Sequence, residues 1–411
     1  MKPLQFLVIG CGNRGEAYAD YSLYYPNEMR IAGAADPNKE KLDFFSGKYK
    51  AEKTWPSWKQ ALQEAGSIDA VIIATPDQTH YEIAMKCLEA DWPILLEKPI
   101  AVSAADCISL AEKAEDRGVI VAVGHVLRYA PFFRKVKEVA DSGILGTIAT
   151  IELIEPVRYW HQAHSFVRGN WRKSDESAPM ILAKSCHDMD IIRWIAGSRC
   201  STVSSFGSLL HFTRENAPEG SRDRCIDGCS AEQDCPYSAM KLYLDPGKTG
   251  WPVTVLTKDL SVEGRIKALK EGPYGRCVYR CENDVVDHQV VAMEFEGGTT
   301  GSFTMTAFTG SDTGRRIRVM GTLGELRGED EKIEVTTFKD DRKSMYTTEA
   351  SGIEGLRKHG GGDFGLIRDF IRTVRGGDPG YLSSTIQASL ESHLMAFAAE
   401  KSRLEKRVIS L

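Results

Sequence analysis

The chain has 411 residues, a formal net charge of −5 and 42% hydrophobic residues, which is enough apolar material for the cores of two or three domains. The weak negative charge argues against nucleic acid or an anionic membrane as the main partner, because both attract concentrated positive charge. No apolar run approaches the ~20 residues that span a bilayer, and no signal-peptide pattern precedes the first strand, so the sequence predicts a cytoplasmic protein. Its ten cysteines are then expected to be thiols or metal ligands rather than disulfides.

The first predicted strand, residues 6–9, runs directly into a glycine-rich turn with the spacing GxGxxG. The first glycine permits a sharp turn, the second lets the backbone approach a pyrophosphate, and the third lets the following helix pack closely on the strand. The turn therefore predicts a dinucleotide-binding site. Its cofactor-binding candidates are Gly10, Gly12, Asn13, Arg14 and Gly15.

A second apolar run, residues 29–35, ends at Asp36, about 20 residues beyond the last glycine of the turn. A carboxylate at this place accepts hydrogen bonds from the adenosine ribose and repels a 2′-phosphate, which favours NAD over NADP. The nearby cations Arg14 and Lys39 could still accommodate a 2′-phosphate, so use of both NAD and NADP remains an alternative.

Strands and helices continue to alternate through the first third of the chain. Thr75 and Pro76 follow one predicted strand and Glu97 and Lys98 follow the next, so both pairs lie at carboxyl ends of strands, where a ligand crevice opens. The succession predicts a doubly wound parallel sheet. The predicted strands are residues 70–74, 93–96 and 119–123, and the predicted helices are residues 40–49, 58–65, 80–90 and 104–117.

Four motifs, in this order, resemble the glucose-fructose oxidoreductase, inositol dehydrogenase and rhizopine-catabolism (Gfo/Idh/MocA) family. The resemblance implies an α/β fold, with an N-terminal Rossmann domain followed by an α+β domain that has a large, open, mostly antiparallel sheet. On this basis residues 1–128 are predicted to bind NAD, and residues 129–411 to bind substrate and form a homodimer or homotetramer. The motifs are residues 10–15, Ala-Thr-Pro at 74–76, Glu-Lys-Pro at 97–99 and His-Asp-Met-Asp at 187–190.

The resemblance also implies roles for the residues at the strand ends. Lys98 matches the family lysine that hydrogen-bonds the substrate oxygen beside the nicotinamide, and we rank it as the strongest catalytic candidate. Glu97 matches the residue near the nicotinamide ribose, and Thr75 and Pro76 match residues that line the cofactor crevice. These three residues and Lys98 are the further cofactor-binding candidates.

His187 lies where a new amphipathic helix is predicted to begin, with Asp188 in its first turn and Gly197 at its end. A helix N-terminus disfavours imidazolium, so the histidine is predicted to be neutral and able to accept a proton from a hydroxyl. Asp190 matches the family's acid three residues after the histidine and is a candidate for substrate contact, but a first-turn acid can also simply stabilise the helix.

The chain departs from its family four residues before this histidine. Many related dehydrogenases have an aspartate there that assists the base, whereas this sequence has Ala183, followed by Lys184. Lys184 is therefore a candidate for polar contact with the substrate or for acid–base chemistry, with a solvent-facing lysine as the alternative.

Residues 158–172 combine aromatic, imidazole, guanidinium and amide groups, a mixture that suits a sugar with apolar ring faces and polar hydroxyls. The alternative is packing at a subunit interface. Several cationic side chains in this part of the chain are also compatible with an anionic substrate. The substrate-binding candidates are His161, His164, Arg168 and Trp171 here, Lys184 and Asp190 further on, and His125 and Arg128 after the last Rossmann strand.

Residues 212–284 read as an insertion with too little apolar content for a core of its own. Its cysteines could order it by binding zinc, although unliganded thiols, an iron–sulfur cluster and disulfides remain alternatives. The other cysteines are predicted to be small packed residues. The candidate metal ligands are Cys225, Cys229, Cys235, Cys277 and Cys281.

The remaining chain predicts a hairpin of residues 285–295 and 299–308, then strands at residues 316–321 and 333–337. Two amphipathic helices follow, at residues 364–374 and 386–404, within a C-terminal region, residues 363–411, that packs on the rest of the subunit in the family. Asp363 reads most simply as an N-cap, although it and His359 could reach the substrate pocket.

These observations favour an NAD-dependent oxidoreductase in which His187 removes a hydroxyl proton from a sugar, polyol or sugar derivative and Lys98 stabilises the alkoxide. One alternative is a glycosidase that oxidises a ring carbon, eliminates the aglycone, adds water and reduces the carbon again. A regulator that binds NAD and a sugar without catalysis is a third, disfavoured because a pure binder needs neither residue.

Overall fold

The computed structural model describes residues 2–310, 314–329, 331–349 and 358–411. Its first part is a six-stranded parallel sheet in the order β3-β2-β1-β4-β5-β6. The strands are β1 (Leu4–Ile9), β2 (Met29–Ala35), β3 (Lys53–Trp55), β4 (Ala70–Ile73), β5 (Ile94–Leu96) and β6 (Val121–Val123). The helices between them are α1 (Asn13–Ala19), α2 (Tyr21–Tyr24), α3 (Lys39–Tyr49), α4 (Trp58–Glu64), α5 (His80–Glu89) and α6 (Ala104–Arg117).

The central strands of this sheet are buried on both faces, which explains their continuous apolar sequence. Phe6 and Val8 belong to one core and Leu7 and Ile9 to another on the opposite face, because successive side chains of a strand point to opposite sides. The strand order reverses between β1 and β4, and this switch point opens at the carboxyl ends of the strands. The predicted doubly wound parallel sheet is confirmed.

The second part contains, within the described residues, a nine-stranded sheet in the order β14-β13-β12-β11-β7-β10-β9-β8-β15. Only β7 and β10 pair in parallel, so the predicted mostly antiparallel sheet is confirmed. Its strands are β7 (Ile148–Arg158), β8 (Cys200–Ser208), β9 (His288–Phe295), β10 (Thr300–Thr309), β11 (Arg316–Gly321), β12 (Gly324–Glu329), β13 (Lys332–Thr337), β14 (Arg342–Thr347) and β15 (Ile409–Ser410). The accompanying helices are α7 (Pro131–Asp141), α8 (Tyr159–Gln162), α9 (Met180–Ala183), α10 (Cys186–Ala196), α11 (Ala239–Tyr243), α12 (Val253–Leu256), α13 (Val262–Glu271), α14 (Gly362–Gly376) and α15 (Ile386–Glu405).

One face of the second sheet carries the largest core, against α10 and α15. The other face exposes a row of side chains on four adjacent strands, because Phe206 pairs with Val290, Val290 with Thr304 and Thr304 with Ile154. Phe206, Val290 and Ile154 are all exposed. This row is an apolar strip on an open sheet.

The two C-terminal helices join the sheets together. Phe370 of α14 packs in the core of β1, with its ring centroid 6.2 Å from that of Phe6. Ile386 of α15 lies in the core on the opposite face of the same sheet, while Met395 belongs to the core of the second sheet. The end of the chain therefore covers part of the first sheet as well as the second.

The insertion builds its own small core, contrary to the sequence prediction. Leu242, Tyr243, Val253 and Leu269 pack together with Cys225, and all five lie within residues 212–284. The segment is short of long apolar runs, but its apolar residues lie on three short helices and converge. The segment therefore has an apolar core of its own.

Candidate active site

The glycine turn has the shape that a dinucleotide requires. A Cβ atom on Gly10 would lie 2.3 Å from the carbonyl oxygen of Ala74, and one on Gly15 would lie 2.0 Å from the carbonyl oxygen of Gly10, so neither position accepts a side chain. Gly12 has no heavy atom within 4 Å of such a Cβ. The turn is therefore tight where strand and helix meet and open where a pyrophosphate would approach, which fits an NAD cofactor.

Asp36 is fixed at the carboxyl end of β2 by main-chain groups. One carboxylate oxygen accepts from the N–H of Cys11 at 2.9 Å and the other from the N–H of Asn38 at 2.8 Å. The neighbouring Lys39 pairs with Asp43 at 2.5 Å on the exposed side of α3. The carboxylate at the predicted ribose position therefore has no lysine partner here.

Arg14 points away from the turn into a buried cluster of acids. Its guanidinium lies 2.6 Å from Glu97 and 2.6 Å from Asp363, and it donates to the Tyr18 hydroxyl at 2.9 Å. Burial alone would raise the pKa of both carboxyls, but the charge of Arg14 holds them below their usual range. The Arg14 side chain is therefore engaged by this cluster, and the predicted contact of Arg14 with the cofactor remains a prediction for its main chain in the turn.

Asp363 also corrects a prediction, because it does not cap α14. The N-cap residue is Gly361, without a side-chain hydrogen bond, and Asp363 instead accepts from Arg14 and lies 3.0 Å from Nδ1 of His359. Glu97 accepts from Tyr18 at 2.5 Å and from the N–H of Lys98 at 3.0 Å. The start of α14 is thereby attached to the end of β5.

Thr75 and Pro76 remain accessible at the end of β4, as expected of residues that line a crevice. The turn after them is held by Asp77, whose carboxylate accepts from Nε1 of Trp171 at 3.1 Å and from Ser177 at 2.8 Å. Trp171, predicted to contact substrate, therefore connects the second part of the chain to this turn.

Lys98 and His187 lie near one another between the two sheets. The Lys98 ammonium donates to the carbonyl oxygen of Ala183 at 2.5 Å. His187 is buried, and its Nδ1 has no hydrogen-bond partner. Burial, followed by the charge of Lys98, lowers the pKa of His187 well below its ordinary value. This direction favours the neutral imidazole, through desolvation rather than through the helix N-terminus on which the prediction is based.

Where the family aspartate is missing, a main-chain carbonyl meets the lysine, and a separate charged network lies alongside. Lys184 lies 3.0 Å from Glu155 of β7, and Arg315 lies 2.8 Å from Glu155 and 2.5 Å from Asp188. Arg315 keeps the pKa of Glu155 below its usual range despite burial. Lys184 is thus an ion-paired residue, and it directly follows Ala183, whose carbonyl oxygen accepts from Lys98.

Arg128 and Asp190 are buried and bound to each other, with both guanidinium–carboxylate distances at 2.7 Å. His125, also fully buried, has its Nδ1 2.8 Å from the same carboxylate. The prediction that these three residues contact substrate is corrected: they lie beneath the site and support the helix α10 that carries His187.

Replacing Asp190 by asparagine is expected to destabilise the protein by about 3–5 kcal/mol, because Arg128 would be left buried without its counter-charge. Arg128 keeps the pKa of Asp190 below its usual range although burial alone would raise it, so this stabilisation is present at neutral pH and is lost as the pH falls below about 4. Urea unfolding at pH 7 measures the change. Asp141→Asn removes an exposed partner of Lys137 and is the control, expected to cost under about 1 kcal/mol; equal losses in both variants would contradict the prediction.

Two predicted substrate residues instead hold the insertion. Nδ1 of His164 lies 2.7 Å from the Tyr243 hydroxyl, and its ring stacks on Tyr274 at 4.7 Å. Arg168 is fully buried and donates to the carbonyl oxygens of Arg276 and Tyr237, both at 2.7 Å. Both lie on a π-helical turn, Ala163–Arg168, and neither faces solvent, which corrects the prediction. His161, on α8, remains partly exposed.

The zinc prediction is not supported. Across the described ranges, which include all ten cysteines, every cysteine is a free thiol, and no group of three or more His, Cys, Asp or Glu side chains is placed to hold a metal ion. The Arg168 guanidinium, with the same sign of charge as a metal ion, lies 3.8 Å from Sγ of Cys225. The remaining cysteines are buried, as predicted, and burial raises the pKa of Cys87, Cys107, Cys186 and Cys200 to about 12.

Comparison with known proteins identifies the family. Residues 4–125 match the model of the oxidoreductase family, NAD-binding Rossmann fold, and residues 137–411 match that of its C-terminal alpha/beta domain. The chain belongs to the Gfo/Idh/MocA oxidoreductase family. The resemblance inferred from the sequence motifs is thereby confirmed, and this Gfo/Idh/MocA protein is an enzyme of the oxidoreductase class with an NAD-binding Rossmann fold.

Two of its distant relatives are similar to it over most of their length. It is 23% identical to the putative oxidoreductase YteT of Bacillus subtilis, covering 89% of this chain and 88% of the relative. It is 22% identical to myo-inositol 2-dehydrogenase of Thermotoga maritima, covering 98% and 97%. Among solved structures, levoglucosan dehydrogenase in complex with NADH and levoglucosan superposes with a TM-score of 0.71 at 18% identity, covering 100% and 99% of the chains. None of the helices in the described ranges has the length and apolar character to cross a membrane.

Sequence reasoning missed several side chains that shape this site. Asp77 directly follows the Thr-Pro motif, so its position after a strand could have identified it. Tyr18, Glu155 and Arg315 lie on a helix, a strand and a loop without a motif. The Glu97 acceptor of Tyr18 is 79 residues away, and the Asp188 acceptor of Arg315 is 127 residues away. No local pattern signals such pairs.

Proposed function

We propose that this family member is an NAD-dependent oxidoreductase that transfers hydride between the nicotinamide and a hydroxyl-bearing carbon of a sugar, polyol or sugar derivative. The observation that carries this proposal is the pair of Lys98, at the carboxyl end of β5, and the buried His187 with its unpartnered ring nitrogen. One group is a cation that can stabilise an oxyanion, and the other is a neutral base. They lie between the NAD-binding sheet and the second sheet.

In this mechanism His187 accepts the hydroxyl proton of the substrate, which its neutral imidazole permits. The Lys98 ammonium, oriented by the Ala183 carbonyl, stabilises the negative charge that develops on the substrate oxygen. When bound, the nicotinamide supplies the hydride acceptor. In the reverse direction the same two groups hold a carbonyl oxygen and return the proton.

NAD is proposed over NADP. Asp36 offers a carboxylate at the ribose position, and the two cations that could have received a 2′-phosphate are engaged elsewhere: Arg14 by Glu97 and Asp363, and Lys39 by Asp43. A 2′-phosphate would therefore meet a negative charge without a free partner from either side chain.

The division into a cofactor part, residues 1–128, and a substrate part, residues 129–411, is proposed with this function. Of the predicted substrate residues, His161, Lys184 and Trp171 are the partly accessible ones, and we retain them. The ten free thiols suit a reducing compartment, so we place the enzyme in the cytoplasm.

A substrate screen tests the proposed function. Purified protein is incubated with NAD or NADP and a panel of sugars, polyols, sugar acids and aryl glycosides, and both NADH absorbance and aglycone release are followed. We expect NADH formation with a cyclic polyol or sugar. Aglycone release without NADH accumulation would instead establish the redox-cycling glycosidase, which the missing aspartate at position 183 keeps open. If no compound gives NADH formation or aglycone release, both the dehydrogenase and the glycosidase activity are contradicted.

We further propose a homodimer or homotetramer formed through the exposed strip of the second sheet. Phe206, Val290 and Ile154 are exposed side chains on adjacent strands, and burying such a row stabilises association. Phe206→Glu is expected to shift the protein toward monomer in light scattering after gel filtration. Leu404→Glu, at an exposed position of α15, is the control and should keep the wild-type mass. An unchanged mass in Phe206→Glu would contradict the proposed interface.

A further inference from the structure

The insertion presents one half-exposed indole beside residues 158–172, called here the aromatic segment. Trp251 is 45% exposed, although its ring centroid lies 4.8 Å from that of His161 and 5.4 Å from that of Trp160. The ring packs nearly perpendicular to His161, at 79°, so these contacts leave much of it uncovered. A large apolar ring that is held in place yet open to solvent has surface available for a ligand.

A chain of neighbouring side chains connects this indole to the proposed reacting groups. His161 lies on α8, which directly follows β7, the strand that carries Glu155. Burial and then the charge of Lys184 lower the pKa of His161, and the charge of Glu155 raises it. Lys184 and Glu155 are 3.0 Å apart. The residue before Lys184 is Ala183, whose carbonyl oxygen binds Lys98.

The same stretch of the insertion is anchored to the cofactor-binding sheet. Seven residues after the indole, Nζ of Lys258 lies 3.2 Å from Glu16 and 4.5 Å from the ring centroid of Phe44. Glu16 belongs to α1, directly after the glycine turn, and Phe44 belongs to α3. Residues 251–258 therefore connect the aromatic segment, residues 158–172, to helices α1 and α3 of the first sheet.

We propose that Trp251 is a specificity-determining residue whose indole stacks on the apolar C–H face of a ring in the substrate. The proposal rests on the proposed function and narrows its substrate class to cyclic compounds, that is, pyranoses and cyclitols rather than open-chain polyols. A ring of this kind has an apolar face for the indole and hydroxyls at its edge for the Lys184, Glu155 and His161 side chains. An open-chain polyol offers no such face.

Steady-state kinetics of three variants test this assignment. The probes are myo-inositol, levoglucosan and methyl β-D-glucopyranoside as cyclic compounds and D-sorbitol as the open-chain compound, each with saturating NAD. Trp251→Ala is expected to raise KM for the cyclic substrates about tenfold with a small change in kcat, because a stacked ring contributes mainly to binding. Trp251→Phe, which keeps an aromatic face, should recover most of the loss. Leu260→Ala, an exposed position in the same insertion, is the matched control and should behave as wild type.

The outcomes separate this inference from the function on which it rests. If wild type turns over a cyclic probe and Trp251→Ala keeps a KM within twofold of it, the stacking role is overturned while the proposed function stands. Wild-type preference for D-sorbitol would overturn the narrowed substrate class. If wild type reduces NAD with none of the four probes and with no compound of the screen, the proposed function fails and the role of Trp251 fails with it. NAD binding measured by fluorescence in each variant shows that the fold is intact.

Discussion

Replacing Lys98 by methionine is expected to lower kcat about 10²–10³-fold, the usual loss when one donor that stabilises an oxyanion is removed. The methionine keeps the length and apolar stem of the side chain but cannot donate to the Ala183 carbonyl or to a substrate oxygen. NAD affinity should change little, because the glycine turn and Asp36 are untouched. Steady-state kinetics with the substrate found in the screen, together with NAD titration, measure both quantities.

The control for this variant is Lys86→Met, which removes a surface lysine of α5 that pairs with Glu89 at 2.7 Å. It should retain wild-type kcat, KM and thermal stability. A Lys98→Met enzyme with kcat within threefold of wild type would contradict the assigned role. It would instead support the hypothesis of a regulator that binds NAD and a sugar without turnover.

Replacing His187 by asparagine is expected to lower kcat about 10²–10⁴-fold, the range for loss of a general acid–base group. The pH profile of the wild type gives a sharper test. Burial and the charge of Lys98 lower the pKa of His187, so the ring stays deprotonated, and able to accept a proton, as the pH falls below 6.5. The acid limb of kcat/KM for oxidation should therefore lie below pH 6.5.

An acid limb at or above pH 6.5 would contradict this assignment, since it would require a base with an unshifted or raised pKa. His211→Asn is the matched histidine control, because His211 contacts the aromatic residues of the insertion, including Tyr279 at 3.2 Å, away from Lys98. Its profile should follow the wild type, whereas His187→Asn should lose the acid limb along with most of its activity.

The sequence predicted the strands and helices of the first sheet well, but it predicted poorly which side chains surround the site. The strands of the Rossmann fold are continuous apolar runs that end at glycine or proline, so β4, α5 and α6 lie within two residues of their predicted bounds. Lys98 and His187 were found because they lie in local motifs. His164 and Arg168 were misjudged because an aromatic and polar composition does not tell which side chains a later insertion will cover. Their partners, Tyr243 and Arg276, follow 79 and 108 residues later.

The packing of α14 on β1 has a consequence for the order in which the fold can form during synthesis. Phe370 completes the core on one face of the first sheet, and Asp363 neutralises Arg14 next to the glycine turn. The strands that bind the cofactor leave the ribosome first, but the helix that covers them is among the last fifty residues of the chain. The nascent cofactor-binding sheet therefore has a partly uncovered apolar face through most of translation, and chaperone binding should concentrate on that interval.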